Sequence, residues 1–325
     1  MEDFKKYGDY EIAQYKDKYR EQVITLLKLL WGFDFDFRNW YFEWKHHENP
    51  YSNSPLGIVA LYKNEVVGFR GYSPMKWKVK GREFETLSSG DTVVHQDHRL
   101  KGLSVEMGKA ASNFLDYRFF MNFTAGANSI PGYIRLGFGK LLEKKYWVRR
   151  SSNDVKLTGD FSSVSLLESP NLSEVYNFIL GEDNFDKITP VRTKEYLEWK
   201  TKNKKNNYLF LSYKDEGYVV FSAQPSGNNG YIVDYAVKNI EALSNILRYV
   251  IKEKPFDFTM AYNYGVCDEL SRVLRDLEFK ETNMNWYLLV RPVKLEFTKE
   301  DWFIEGVNSR DIQNWSMKAI CSDDA

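Results

Sequence analysis

Asp91-Thr92-Val93-Val94-His95-Gln96-Asp97-His98-Arg99-Leu100-Lys101-Gly102-Leu103-Ser104 joins a strand-like run to a helical one through a tight, basic turn. The apolar Val93 and Val94 belong to a strand expected over 90–95, and the pattern over 103–116 is helical. Such a turn aims several backbone N–H groups into one concavity, and the helix dipole adds partial positive charge. Gly102 lets the backbone approach a ligand closely, while Arg99 and Lys101 bring full charges. The stretch reads as a cradle for a diphosphate. It lacks the Gly-Lys-Ser/Thr ending of a nucleoside-triphosphate loop and the three glycines of a dinucleotide fold, so those ligands fit poorly.

Outward from this turn, apolar positions Val23, Leu26, Leu27 and Leu30 give a helix over 16–31. Residues 57–62 and 66–72 form a hairpin around Lys63-Asn64, and 75–80 and 83–87 a second around Lys80-Gly81-Arg82. After the cradle come a strand at 118–125 and a short helix at 130–136. Hairpins followed by strand, helix, strand and helix describe an α+β layered domain.

The second half echoes the first in the same order. Tyr41-Phe42-Glu43-Trp44-Lys45 recurs as Tyr196-Leu197-Glu198-Trp199-Lys200, and the turn Tyr62-Lys63-Asn64-Glu65 as Tyr213-Lys214-Asp215-Glu216. Asp91-Thr92-Val93-Val94 recurs as Asp234-Tyr235-Ala236-Val237, and Leu136-Gly137-Phe138 as Leu277-Glu278-Phe279. A two-copy repeat of this length predicts two tandem α+β domains rather than a solenoid. The expected domains are 1–150 and 151–325, with the boundary in the polar stretch 149–159. The cradle's counterpart, Ala242-Leu243-Ser244-Asn245-Ile246-Leu247, has neither glycine nor basic residue and reads as plain helix.

Val94-His95-Gln96-Asp97-His98-Arg99-Leu100-Lys101-Gly102-Leu103-Ser104 resembles the central motif of the GNAT superfamily of N-acetyltransferases. It departs from that motif at Gln96, where proline is usual, and at Ser104, where glycine or alanine is usual. Asn128-Ser129-Ile130-Pro131-Gly132-Tyr133-Ile134-Arg135-Leu136-Gly137-Phe138 is similar to the family's second signature. The resemblance covers 15–150 strongly and 160–292 weakly. It implies two tandem GNAT-like domains, each a mixed, mostly antiparallel sheet flanked by helices, the second copy degenerate. It also implies acetyl-CoA as cosubstrate. Arg99, Leu100, Lys101, Gly102, Leu103 and Ser104 would hold the diphosphate, Asn128 the pantetheine arm, and the backbone of Val93 and Val94 the thioester carbonyl.

Two side chains become catalytic candidates by the same resemblance. Asp91 stands where many family members carry a carboxylate that helps deprotonate the amine; its echo Asp234, in a half without the cradle, equally supports a fold role. Tyr133 is a candidate general acid to the departing thiolate, or else a core tyrosine; the second half has Leu274 there. His46 and His47 read as surface residues, and His95 and His98 as phosphate contacts or members of a solvated turn. The aromatic set Trp31, Phe33, Phe35, Phe37, Trp40, Tyr41, Phe42 and Trp44 reads as mostly core.

Composition narrows the function. The 325 residues suit two cores, with 43% hydrophobic and 16% aromatic content. Forty-five basic and 45 acidic residues give no basic surplus for nucleic acid. Two cysteines, Cys267 and Cys321, have no metal-type spacing, and no His/Asp/Glu cluster does. Met1-Glu2-Asp3-Phe4-Lys5-Lys6 lacks a signal-peptide core and no run reaches 18 apolar residues, so a cytoplasmic protein without membrane partners is expected. The reading is an N-acetyltransferase acting on a primary amine of a small or medium acceptor. A Fem-type aminoacyl transferase, which usually lacks an intact cradle, and a non-catalytic CoA-binding or scaffold protein are the alternatives.

Overall fold

The computed structural model describes residues 4–32, 34–151, 163–167, 171–181, 185–223, 228–253, 255–264 and 269–322. Phe33, Cys267 and most of the expected boundary stretch lie outside the described residues. The first half runs β1 (Phe4–Tyr7), β2 (Tyr10–Gln14), α1 (Arg20–Leu26), α2 (Lys28–Trp31), α3 (Phe35–Phe42), β3 (Leu56–Tyr62), β4 (Glu65–Val79), β5 (Arg82–Val94), α4 (Leu103–Phe114), β6 (Phe119–Gly126), α5 (Ile130–Arg135) and β7 (Gly139–Arg150). The second runs β8 (Val164–Leu167), α6 (Leu172–Leu180), β9 (Thr189–Pro190), α7 (Lys194–Thr201), β10 (Asn207–Tyr213), β11 (Gly217–Ala223), β12 (Asn229–Val237), α8 (Ile240–Glu253), β13 (Phe258–Asn263), α9 (Glu269–Asp276) and β14 (Lys280–Pro292). Two compact units result: Met1–Leu141 with Tyr287–Arg310, and Leu142–Trp286 with Asp311–Ala325. The division is not a single cut at 150, because Tyr287–Arg310 packs with the first unit.

In the first unit the strand order is β1-β2-β3-β4-β5-β6-β14. Neighbours from β1 to β5 are antiparallel, and β5 and β6 are parallel. Lys63 and Asn64, both at positive φ (51° and 68°), make the tight turn between β3 and β4. The parallel pair needs a crossover, which α4 supplies. Strand alternation builds a core on each face of the sheet. Ile58, Ala60 and Leu87 meet Leu103, Met107 and Ala111 of α4; Val59, Phe69 and Val93 meet Val23, Ile24, Leu27 and Phe42.

Two expected breaks are absent. Residues 66–72 and 75–80 are one strand, β4, running through Pro74. Pro74 pairs with Leu87 on one side, while on the other it lies past the end of β3, whose last partner is Tyr72. There the missing N–H costs no ladder bond. Likewise 83–87 and 90–95 are one strand, β5, because Asp91 is accommodated as a bulge between the pairs Arg70–Thr92 and Gly71–Gly90. The helix expected over 16–31 is instead α1 and α2, separated at Leu27.

The second unit has the strand order β7-β13-β12-β11-β10-β8, with β12 and β13 parallel. Helix α8 buries Ala242, Leu243, Ile246, Leu247, Val250 and Ile251 completely, a stripe at helical spacing against Leu211, Val219 and Phe221. Element order from helices through hairpin, strand, helix, parallel strand, helix and strand is the same in both halves. The echoed motifs fall at matching places in it. Helices α5 and α9 end in the same turn, with Gly137 and Glu278 at φ 82° and 58°. Phe138 N–H donates to Tyr133 O at 3.1 Å, and Phe279 N–H to Leu274 O at 2.9 Å. Among the described residues no helix is long and apolar enough to cross a membrane.

Candidate active site

Strands β5 and β6 pair only at Thr86–Phe119, Leu87–Phe120 and Ser88–Met121. Beyond Ser88 the strands part, and the bulge at Asp91, where φ is 37°, lies within the parted segment. Backbone direction there follows from the ladder. His95 N–H donates to Val67 O at 2.8 Å, so Val93 also faces β4, while Thr92 and Val94 face the opening. The Val94 carbonyl on that side accepts from Arg99 Nε at 3.1 Å. Of the two valines, then, Val94 offers its N–H to the gap, and Val93 spends its own on the sheet.

The loop leaving β5 ends at the N-terminus of α4. Leu100 and Gly102 both have left-handed backbone (φ 62° and 76°), and the Leu100 side chain is fully exposed. Left-handed backbone at Leu100 and Gly102 tightens the loop where it enters α4. Gly102 is the residue before α4, and no side chain caps the helix. Val105 and Glu106 N–H both bond to Gly102 O, which leaves the Leu103 and Ser104 N–H groups as helix-end donors. A Cβ on Gly102 would come within 2.9 Å of the Tyr7 hydroxyl. Arg99 and Lys101 are exposed, Lys101 with its ammonium 5.8 Å from the Tyr10 ring centroid. His98 is pinned by Tyr10, hydroxyl to Nδ1 at 3.0 Å. These features fit a diphosphate: helix-end donors, two exposed cations and a glycine at the helix start.

At the start of α8, the matching place, the second unit has no such cradle. Asn239 Oδ1 accepts from Ala242 N–H at 2.9 Å, so α8 caps itself. Its first turn buries Ala242 and Leu243.

Tyr133 is 8% exposed. Its ring packs edge-on against Phe138 at 5.0 Å, and its hydroxyl accepts from Asn122 Nδ2. Asn122 belongs to β6 just past Met121, where that strand has left β5. Tyr133 is thus both well packed and tied to the edge of the opening. Asn128 lies in the exposed 3₁₀ turn Ala127–Ser129 before α5.

Asp91 is held more tightly than its sequence suggests. Lys45 Nζ is 2.8 Å from Oδ2, His46 Nε2 3.3 Å from the same oxygen, and Trp31 Nε1 donates to Oδ1 at 2.9 Å. The Lys45 and Asp91 side chains are 5% and 6% exposed. Burial opposes the carboxylate charge, but the Lys45 ammonium and the His46 hydrogen bond win and hold the carboxyl well below the usual range. Such a carboxylate is a weak proton acceptor, and the geometry favours an anchoring role. His46, expected at the surface, is buried; burial pushes its imidazole below the ordinary value despite Asp91. A π-helical turn, Glu43–His47, continues α3 and lets adjacent Lys45 and His46 both reach Asp91. Asp234 of the second unit is also fully buried and paired, with Arg192 and the Tyr218 hydroxyl. No metal-ligating group of side chains occurs among the described residues.

Arg70 was not singled out by sequence: it lies in an ordinary-looking strand, yet is 2% exposed beside Tyr133. Only its neighbours in space mark it.

No family model and no curated protein matches the sequence. Solved structures do. A conserved Enterococcus faecalis V583 protein of unknown function, a probable N-acyltransferase, is 14% identical with TM-score 0.68, over 90% of this chain and 74% of that one. A GCN5-related N-acetyltransferase from Anabaena variabilis is 13% identical with TM-score 0.65, over 88% and 73%. Another from Kribbella flavida is 12% identical with TM-score 0.63, over 88% and 72%. At these identities the likeness is one of fold.

Proposed function

From a chain whose fold is that of the GCN5-related N-acetyltransferases, we propose an acetyl-CoA-dependent N-acetyltransferase. Its acceptor is the primary amine of a small or medium molecule: an amino sugar, its nucleotide-linked form, or an amino-acid derivative. The observation that carries this reading is the uncapped N-terminus of α4 behind a left-handed, basic loop, set beside the opening of β5 and β6.

Acetyl-CoA supplies an activated acyl thioester. Leu103 and Ser104 N–H, with Arg99 and Lys101, hold the diphosphate, and Asn128 contacts the pantetheine arm. Val94 N–H polarises the thioester carbonyl. The neutral amine forms the C–N bond and sheds its proton to water. The C–S bond breaks, and the Tyr133 hydroxyl gives the departing sulfur its proton, to be reprotonated from solvent. Asp91, anchored by Lys45, His46 and Trp31, keeps the bulge of β5 in place. The test is release of free thiol from acetyl-CoA over a panel of amino sugars, nucleotide-linked amino sugars and amino-acid derivatives. Turnover with one class is expected; CoA binding without turnover on any amine would reduce the protein to a CoA-binding module.

A further inference from the structure

Building on that acyl-transfer reading, we infer that Arg70 is the positioning residue for the Tyr133 hydroxyl, tying the proton donor to the first turn of α4. The Arg70 guanidinium lies 5.1 Å from the Tyr133 ring centroid and 5.8 Å from that of Tyr72. Its Nη1 donates to the Ser104 carbonyl at 3.3 Å. The hydroxyls of Tyr72 and Tyr133 interact with it electrostatically, and Nε has no hydrogen-bond partner. Among the described residues no carboxylate pairs with Arg70.

A buried guanidinium without a counter-ion is costly, and a valine would pack at this point of the sheet more cheaply. The second unit has that valine. Val219 pairs with Tyr235, the echo of Thr92, as Arg70 pairs with Thr92; it faces α8 and is fully buried. That same unit carries Leu274 where the first has Tyr133. The cation and the phenol therefore occur together in the unit with the cradle and are both replaced in the unit without it.

Arg291 shows what a purely structural buried arginine looks like here. It bonds the carbonyls of Leu136 and Val293 and the Ser112 hydroxyl, and so satisfies the end of α5. Arg70 makes one such bond to a carbonyl, and otherwise meets the rings and hydroxyls of Tyr72 and Tyr133. One of its ends touches Ser104, at the diphosphate cradle; the other lies over Tyr133, at the leaving sulfur. The charge thus fixes the spacing between the two places the ligand must reach.

A double-mutant cycle tests this: wild type, Arg70→Met, Tyr133→Phe and the combination, with Arg70→Lys added. Maximal rate, KM for acetyl-CoA and melting temperature are read for each. Arg70→Met should lower kcat about tenfold with little change in KM, and should add almost nothing in the Tyr133→Phe background. Arg70→Lys should recover most of the lost rate, and Arg70→Gln replaces Arg70→Met in the cycle if that variant does not fold. Multiplicative losses in the combined variant, or an unchanged kcat in Arg70→Met, would overturn the assignment. Turnover with such additive losses defeats this inference alone. Absence of acetyl transfer by the wild type defeats the acyl-transfer reading and this inference together.

Discussion

Lys45→Met is expected to lower the unfolding free energy by about 3–5 kcal/mol, the usual cost of removing one partner from a buried ion pair. The size follows from what is left behind. Asp91 would keep its hydrogen bonds from His46 and Trp31 but lose the full charge 2.8 Å away, in a site where its side chain is 6% exposed. The pair also has a pH signature. Asp91 has a depressed folded-state pKa, so its stabilisation is fully present above the unfolded value of about 3.9 and is lost as pH falls below it. His46, held neutral by burial, works in the same direction from about pH 6.5 downward, because the unfolded chain takes up its proton more readily. Urea unfolding of wild type and Lys45→Met at pH 7 and pH 5 measures this. In the variant the orphaned carboxylate can protonate at pH 5, so the deficit should shrink there. A deficit below about 1 kcal/mol at pH 7, the range of an exposed pair, would show that the anchor is solvated.

Tyr133→Phe is expected to reduce the maximal acetylation rate about 10²-fold while leaving acetyl-CoA affinity nearly unchanged. A thiol of pKa near ~8.5 leaves tolerably as thiolate, so the donor supplies the low end of general acid catalysis. Phenylalanine keeps the edge-on packing against Phe138. It removes the acceptor of Asn122 Nδ2, which is itself buried, so about 1–3 kcal/mol of stability should be lost as well. Rates are therefore compared at a temperature where both proteins are folded. Wild-type turnover in a variant with that stability loss would return Tyr133 to the core and leave the leaving group unassisted.

What was legible in the sequence is what local chemistry controls. The cradle could be read because a glycine, two cations and a helix start lie within a few residues of one another. The turn after α5 could be read because Leu136-Gly137-Phe138 carries its own left-handed residue, and the echo in 277–279 marked the second. Arg70 could not be read. Its burial depends on α4 and α5 covering β4, contacts made with residues 34 and more positions away. The bulge at Asp91 was hidden for the same reason, since a bulge exists only relative to a partner strand. His46 was misplaced because regular helical spacing turns adjacent side chains apart, whereas the π-helical turn brings Lys45 and His46 to one carboxylate. The segment Tyr287–Arg310 joins the first unit through packing of Leu289 and Val293 on Phe120 and its neighbours, which no local signal announces.

The central claim is that the loop 99–104 of the first unit, and nothing equivalent in the second, binds the diphosphate of CoA. Calorimetric titration with acetyl-CoA, paired with melting curves, tests it on wild type and on an Arg99→Glu, Lys101→Glu variant. One molecule should bind per chain with a stabilisation of about 2.7 kcal/mol at 100 times the dissociation constant, most of it lost in the variant. No binding at millimolar acetyl-CoA, two molecules per chain, or undiminished binding by the charge-reversed variant would contradict it.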